Sequence, residues 1–271
     1  MSFRGKIYIT ATLLLCTSST LEAQNRMRPL NELINKTEPG WPIVQQWIKD
    51  AKNKVEVLPC DAEKAKDALY KVQVTTRSPL GAVVYSCGGL LIDDGWIRIL
   101  GSGDKRLNRS LPDWNKGKTF KQFGEPPSFL LIADDAIGGF FALNGGGLGK
   151  DPGKIYYLSP DTLEWENLKL TYSDFLNFCF TGDIEKFYRN LRWTNWRADV
   201  SKLDGNSVYT FYPFLWTKEG KDINKNTKSP VPVEEQYSLS LDMQKQLKKV
   251  KIGESVEVRL VPSSSQKPPV Q

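Results

Sequence analysis

The spacing of apolar residues changes several times along the chain, and each change predicts an element. In "RPLNELINKTEPGWPIVQQWIKDAKN" the apolar positions Val44, Trp47, Ile48 and Ala51 recur at i, i+3, i+4, i+7. That is one buried stripe of an amphipathic helix, preceded by a short helix and a Pro/Gly turn. "VEVLP" (Val55–Pro59) reads as a short strand. Asp61 then offers an N-cap to a second helix whose inward face carries Ala65, Ala68, Leu69 and Val72. From Val74 the period becomes that of a sheet, and the β-rich run "AVVYSC" predicts a strand ending at Gly88–Gly89. "LLIDDGWIRIL" predicts a hairpin turning on Asp94–Gly95, in which Ile92 faces Ile97 and Leu90 faces Ile99.

A polar stretch rich in Gly, Pro and Asn, 101–127, predicts a long loop, and long irregular segments on a rigid sheet commonly carry contacts. Strand patterns return in meander order as "SFLLIA", "GGFFALN", "KIYYLS" and "LEWENL". "TYSDFLNFCFTGDIEKFYRNLRW" predicts a helix capped by Thr171 or Ser173 and interrupted at Thr181–Gly182. After Asp199, "SVYTFYPFLWT" is strand-like with Pro213 placing it at an edge, "VEEQYSLSLDMQKQLKKV" is helical, and "SVEVRLVP" is a short strand. The chain therefore divides into a principal domain over 24–198, a C-terminal extension over 199–261 packed on the same domain, and a disordered tail over 262–271.

The N-terminus departs from this globular pattern. Arg4 and Lys6 precede an apolar run from Ile7 to Cys16, followed by small and polar residues up to "LEA". This is the form of a secretory signal over residues 1–23 with cleavage after Ala23, so an exported protein, periplasmic or secreted, is expected. Lipidation at Cys16 is the alternative, with Leu15 where such sites carry a small residue. The apolar run is too short for a membrane span. Cleavage leaves Cys60, Cys87 and Cys179, without metal spacing; buried free thiols at Cys87 and Cys179 are the plain reading.

Charge and residue chemistry narrow the function classes. The 271 residues carry a net charge of +6 with lysines scattered among acids, which does not form the basic stripe of a nucleic-acid binder. Histidine is absent. Ser-His-Asp and Cys-His catalysis and histidine-ligated metals are thereby excluded, leaving carboxylate pairs, Ser-Lys dyads, Tyr acids and oxygen-ligated metals. The carboxylates that attract notice are the adjacent pairs Asp93–Asp94 and Asp134–Asp135. Neighbours in a strand point to opposite faces, so turn chemistry is the expectation over shared catalysis. "NGGGLGK" (Asn144–Lys150) fails the phosphate-loop pattern at Asn144 and Asp151. Among the tryptophans, Trp193 and Trp196 in "RWTNWR" are the candidates for an exposed cation–π surface. The candidate binding residues are Trp96, Arg98, Asp104, Arg106, Arg109, Trp114, Asp134, Asp135, Trp193 and Trp196. No catalytic residue, metal ligand or cofactor is assigned.

The segment "SFLLIADDAIGGFFALNGG…GKIYYLSPDTLEWENLKLTYSDFLNF" resembles the SUKH superfamily at Leu130–Ala133, Asp134–Gly139, Phe140–Leu143, Ile155–Leu158 and Ser173–Leu176. More closely, "WPIVQQWI", "QVTTRSPLGAVVY", "GGLLIDDGWIRILGSG" and "LPDWN" look like a bacterial family known only as a domain of unknown function, from about Arg28 to Leu247. The resemblance implies an α+β fold with a central, mostly antiparallel (mixed) sheet flanked by helices. It also implies a non-catalytic module that binds another protein, as SUKH immunity proteins bind toxins. The competing expectation is an exported hydrolase or carbohydrate-active protein using the paired aspartates.

Overall fold

Seven strands hydrogen-bond in their order along the chain, and every pairing between neighbours is antiparallel. The computed structural model describes residues 27–250; the expected signal segment, the strand pattern "SVEVRLVP" and the tail lie outside the described residues. The sheet runs β1 (Val55–Val57), β2 (Gly89–Ile92), β3 (Ile97–Leu100), β4 (Phe129–Asp135), β5 (Phe140–Asn144), β6 (Ile155–Leu158) and β7 (Trp165–Asn167). The meander read from the succession of strand-like runs is thus realised, and the fold class is α+β. The hairpin register Ile92↔Ile97 and Leu90↔Ile99 is the expected one.

The first helices are α1 (Leu30–Leu33), α2 (Trp41–Lys49) and α3 (Ala62–Val72), the last with Asp61 accepting from the backbone N–H groups of Glu63 and Lys64. The next segment corrects the sequence reading. "AVVYSC" is not a strand but part of α4 (Pro79–Ser86). Ser78 caps it by accepting from the Gly81 N–H, and Pro79 at the first helical position has its φ already set. Leu80, Gly81, Ala82, Val83 and Val84 are all buried, so no polar face marks the helical period and β-branched composition misleads. Tertiary packing overrides local propensity here.

The long polar loop is also more structured than expected. It contains α5 (Leu111–Asn115), capped by Ser110, and buries Leu107, Leu111, Trp114 and Phe120. Asn115 explains why it folds inward. Its side-chain amide donates to the Leu131 carbonyl and accepts from the Leu131 N–H, both at 2.8 Å. Leu131 borders the β-bulge in β4, beyond the last residue paired with β3, and Asn115 replaces the missing strand partner there.

The remaining helices are α6 (Tyr172–Thr181), α7 (Ile184–Phe187), α8 (Trp196–Val200) and α9 (Val233–Leu247), with a separate ribbon of β8 (Ser207–Tyr212) and β9 (Thr227–Pro232). Thr171 and Asp174 form a capping box on α6. On one sheet face Phe141 meets Phe175 of α6, and Tyr157 meets Phe187 of α7. On the other, Phe140 meets Tyr237 of α9, which also touches Trp114. The Tyr209 N–H donates to the Ala136 carbonyl, joining the β8–β9 ribbon to the end of the sheet.

Candidate functional site

The two acidic pairs lie at the same end of the sheet, because β3 begins where β4 ends and Ile97 is paired with Asp135. Proximity alone therefore does not separate catalysis from turn chemistry. Their hydrogen-bond partners do.

Asp93 and Asp94 have φ of 50° and 62°, and the Gly95 N–H donates to the Ile92 carbonyl at 3.1 Å. The Trp96 N–H also donates to the Asp93 carbonyl at 3.2 Å. Asp94 and Gly95, with φ of 62° and 88°, are the central residues of the two-residue turn expected there. Asp93 before them is left-handed too, which a short polar side chain tolerates. Asp93 accepts from Arg192 at 2.6 Å, with Arg197 at 3.5 Å. Asp94 pairs with Lys54 at 2.5 Å, with Arg197 at 3.7 Å.

Asp134 and Asp135 continue a strand, so their side chains leave opposite faces. Asp134 is fully buried and lies directly across from Arg98. The Arg98 Nε donates to Asp134 Oδ1 at 2.6 Å, while its Nη1 and Nη2 donate to the carbonyls of Ser207 and Asp135. Arg109 approaches the other oxygen, Nη1 to Oδ2 at 2.7 Å, and anchors the extension through Gly205 and Asn206. One carboxylate thus serves two guanidiniums whose side chains are 3% and 9% exposed. Burial, with the Arg98 charge nearby, lowers the Arg109 guanidinium from its ordinary range against the pull of Asp134.

Asp135 is enclosed on the opposite face. Its Oδ2 accepts from the Tyr157 hydroxyl at 2.7 Å and the Tyr188 hydroxyl at 2.9 Å, and its Oδ1 accepts from the N–H groups of Ile137 and Gly139. Burial raises its carboxyl above the usual value, opposed by these four donors. Burial likewise holds both tyrosines well above theirs. A buried carboxylate with four donors and no opening can organise a core; a substrate has no route to it.

The other candidate residues separate into clusters. Trp96, Trp193 and Trp196 do come together, but inward: Trp96 meets Trp196 at 4.8 Å and Trp193 at 5.7 Å between ring centres, and all three are buried. The expected exposed patch at Trp193 and Trp196 is therefore a core. The cation–π contact is real, with Arg192 4.0 Å from the Trp196 ring, yet Arg192 is buried as well. Trp114 is buried beneath Arg109 at 4.7 Å. Asp104 holds its own turn by accepting from the Arg106 N–H, and exposed Arg106 pairs with Glu56. In "NGGGLGK", Asn144 accepts from the Gly146 and Leu148 N–H groups and donates to the carbonyls of Gly149 and Asp151, closing the loop on itself.

Cys87 and Cys179 are buried thiols, and burial pushes Cys87 up to about 12. Cys60 is exposed. Among the described residues no three Cys, Asp or Glu side chains gather in a metal-holding group, and no helix is long and apolar enough to cross a membrane.

Tyr157, Tyr188 and Asn115 are not among the expected site residues, and the two tyrosines had a readable signal. Pairing β4 with β5 and β5 with β6 puts Tyr157 on the Asp135 face, and the helical run ending at Leu191 carries Tyr188 toward the same face.

The chain is 50% identical over 192 residues to YbfG, an uncharacterised protein of Escherichia coli K12, covering 71% of this chain and 87% of that protein. It is 47% identical over 211 residues to an uncharacterised protein of Haemophilus influenzae, covering 78% of this chain and 92% of that one. Residues 30–236, which span the whole sheet, both acidic pairs and the β8–β9 ribbon, match the family described as protein of unknown function DUF2625, and the chain belongs to that family.

Proposed function

We propose that this chain is an exported, non-catalytic module that binds another protein. The observation that carries the reading is the state of the four aspartates. Asp93 is paired with the buried Arg192 and Asp94 with the exposed Lys54, Asp134 lies between two arginines, and Asp135 is closed by two tyrosines and two backbone N–H groups. General acid/base work needs a carboxyl within reach of a substrate, and a glycosidase needs two flanking one cleft. The resemblance to SUKH immunity proteins supports a binding role, and the signal pattern over 1–23 supports export.

The test is affinity purification of the tagged mature chain from the extracytoplasmic fraction, followed by reconstitution with the purified partner. A one-to-one complex that survives gel filtration is the expected result. Turnover of a glycoside or ester by the purified chain, abolished in Asp134→Asn with the fold intact, would overturn the proposal.

A further inference from the structure

We propose that the groove between the β8–β9 ribbon and α9 is the seat of this chain's own C-terminal segment, residues 255–262. The seat stands whether or not the chain binds a partner protein. The ribbon register builds the groove. Val208↔Val231, Thr210↔Ser229 and Tyr212↔Thr227 are cross-strand pairs, so their side chains share one ribbon face. Tyr209 and Phe211 take the opposite face and pack on Trp193. Between the shared face and Leu239 of α9 lies a cavity of about 410 Å3, closed at one end by Phe214. Tyr212 is 59% exposed there. α9 prolongs this apolar surface. Its buried side carries Val233, Gln236, Tyr237 and Ser240. Leu239, Met243 and Leu247, at i, i+4 and i+8, form a second stripe beside it, and all three are only half-buried. The stripe runs from the groove to the end of the helix, and the described residues stop at Val250.

The sequence that follows has the matching form. "SVEVRLVP" alternates Val256, Val258 and Leu260 with Glu257 and Arg259, the period of a strand with one apolar side to cover. Gly253 stands where the chain has to reverse direction. Two strand residues advance about 7 Å and four helical residues about 6 Å. Val256, Val258 and Leu260 can therefore run back along α9 in step with Leu247, Met243 and Leu239, leaving Glu257 and Arg259 in water. Eight extended residues reach about 26 Å, against about 12 Å from Leu247 back to Leu239, so Leu260 arrives at the groove. Pro230 and Pro232 deprive β9 of donors, which disfavours a further strand at its free edge and leaves the face as the seat. Tethering also gives the segment an effective concentration of the order of millimolar, ahead of a separate chain.

The test is methyl NMR on the full chain labelled at Ile, Leu, Val and Met. Cross-peaks from Val258 to Met243 and from Leu260 to Leu239 are expected, and dilution should leave them unchanged. Val258→Asp should abolish both and shift the Leu239 and Met243 methyls, while Ile97 and Ile99 stay in place and show the sheet intact. Limited trypsin digestion gives a second readout. The bond after Arg259 should be cut roughly tenfold faster in Leu247→Ser than in the wild type, because the cleavage sequence is the same and only its seat is lost. Random-coil methyl shifts at Val256, Val258 and Leu260 would overturn the proposal, as would equal cutting of the two proteins. Cross-peaks between differently labelled copies would assign the groove to a second copy and overturn it as well. So would contacts of the segment with another face of the molecule.

Discussion

Replacing Asp134 with Asn keeps the size of the side chain and removes its charge, which isolates what that carboxylate does for the fold. In the native protein it is the one carboxylate hydrogen-bonded to both Arg98 and Arg109, whose side chains are almost fully excluded from water. The variant would bury two guanidiniums facing only an amide oxygen and an amide N–H that repels one of them. Breaking a buried ion pair by removing one partner costs about 3–5 kcal/mol. For a chain of this length each kcal/mol lowers Tm by about 2–4 °C, so a fall of roughly 6–20 °C is expected. Asp94→Asn is the matched control. Its side chain is 27% exposed and its partner Lys54 is 67% exposed, so water screens that pair and its loss should cost far less than the loss of Asp134. Asn also accepts the left-handed backbone that Asp94 adopts, leaving the turn undisturbed. Urea unfolding of the three proteins at pH 7 gives both differences directly. If Asp134→Asn is as stable as the wild type, or more so, the reasoning is refuted. That is the behaviour of a strained functional carboxylate, whose removal tends to stabilise.

Other perturbations test separate parts of the structure. Asn115→Ala leaves the buried N–H and carbonyl of Leu131 without partners and should cost about 2–4 kcal/mol in urea unfolding. Gly81→Ala, which in an ordinary helix would gain about 1 kcal/mol, should instead destabilise, because the new Cβ would lie 2.1 Å from the Thr75 carbonyl oxygen. The Asp135 carboxyl is raised above its ordinary 3.8, so the folded state holds that proton more tightly than the unfolded chain. Its contribution is therefore fully present below pH 3.8 and declines as pH rises through the higher folded value. The stability difference between wild type and Asp135→Asn should shift against the wild type as pH rises from 3.8, and the opposite slope contradicts that assignment. Mass spectrometry of the exported chain should find Gln24 at its N-terminus; an intact Met1 in the extracytoplasmic fraction contradicts the signal reading.

β2 to β6 are short apolar runs buried on both faces, legible from their β-branched and aromatic residues and the turn residues between them. The Asp61 and Thr171 caps mark helix starts by local hydrogen bonding. A short apolar run does not by itself separate a strand from a buried helix, and there pattern reasoning fails. α4 is buried through its middle, so only Ser78–Pro79 could have marked it as a helix. Trp193 and Trp196 were flanked by Arg192 and Arg197, which suggests a surface, yet Arg192 itself is buried by Asp93, Glu185 and the indole rings. The turn reading holds for Asp93–Asp94, at the hairpin tip with left-handed backbone. Asp134 and Asp135 instead end β4, and only Asp135 reaches the following turn, accepting from the Ile137 and Gly139 N–H groups. Their side-chain partners Arg98, Arg109, Tyr157 and Tyr188 come from 22 to 53 residues away, so no local pattern announces them.

Asp134 is the shared counter-charge of two buried arginines, and a double-mutant cycle measures that coupling. Arg98→Met, Asp134→Leu and the combination of both are unfolded in urea alongside the wild type. Two costly single variants are expected, with a double variant much less destabilised than their sum and a coupling of about 2 kcal/mol or more. Additive single and double effects, with no coupling between Arg98 and Asp134, would contradict it.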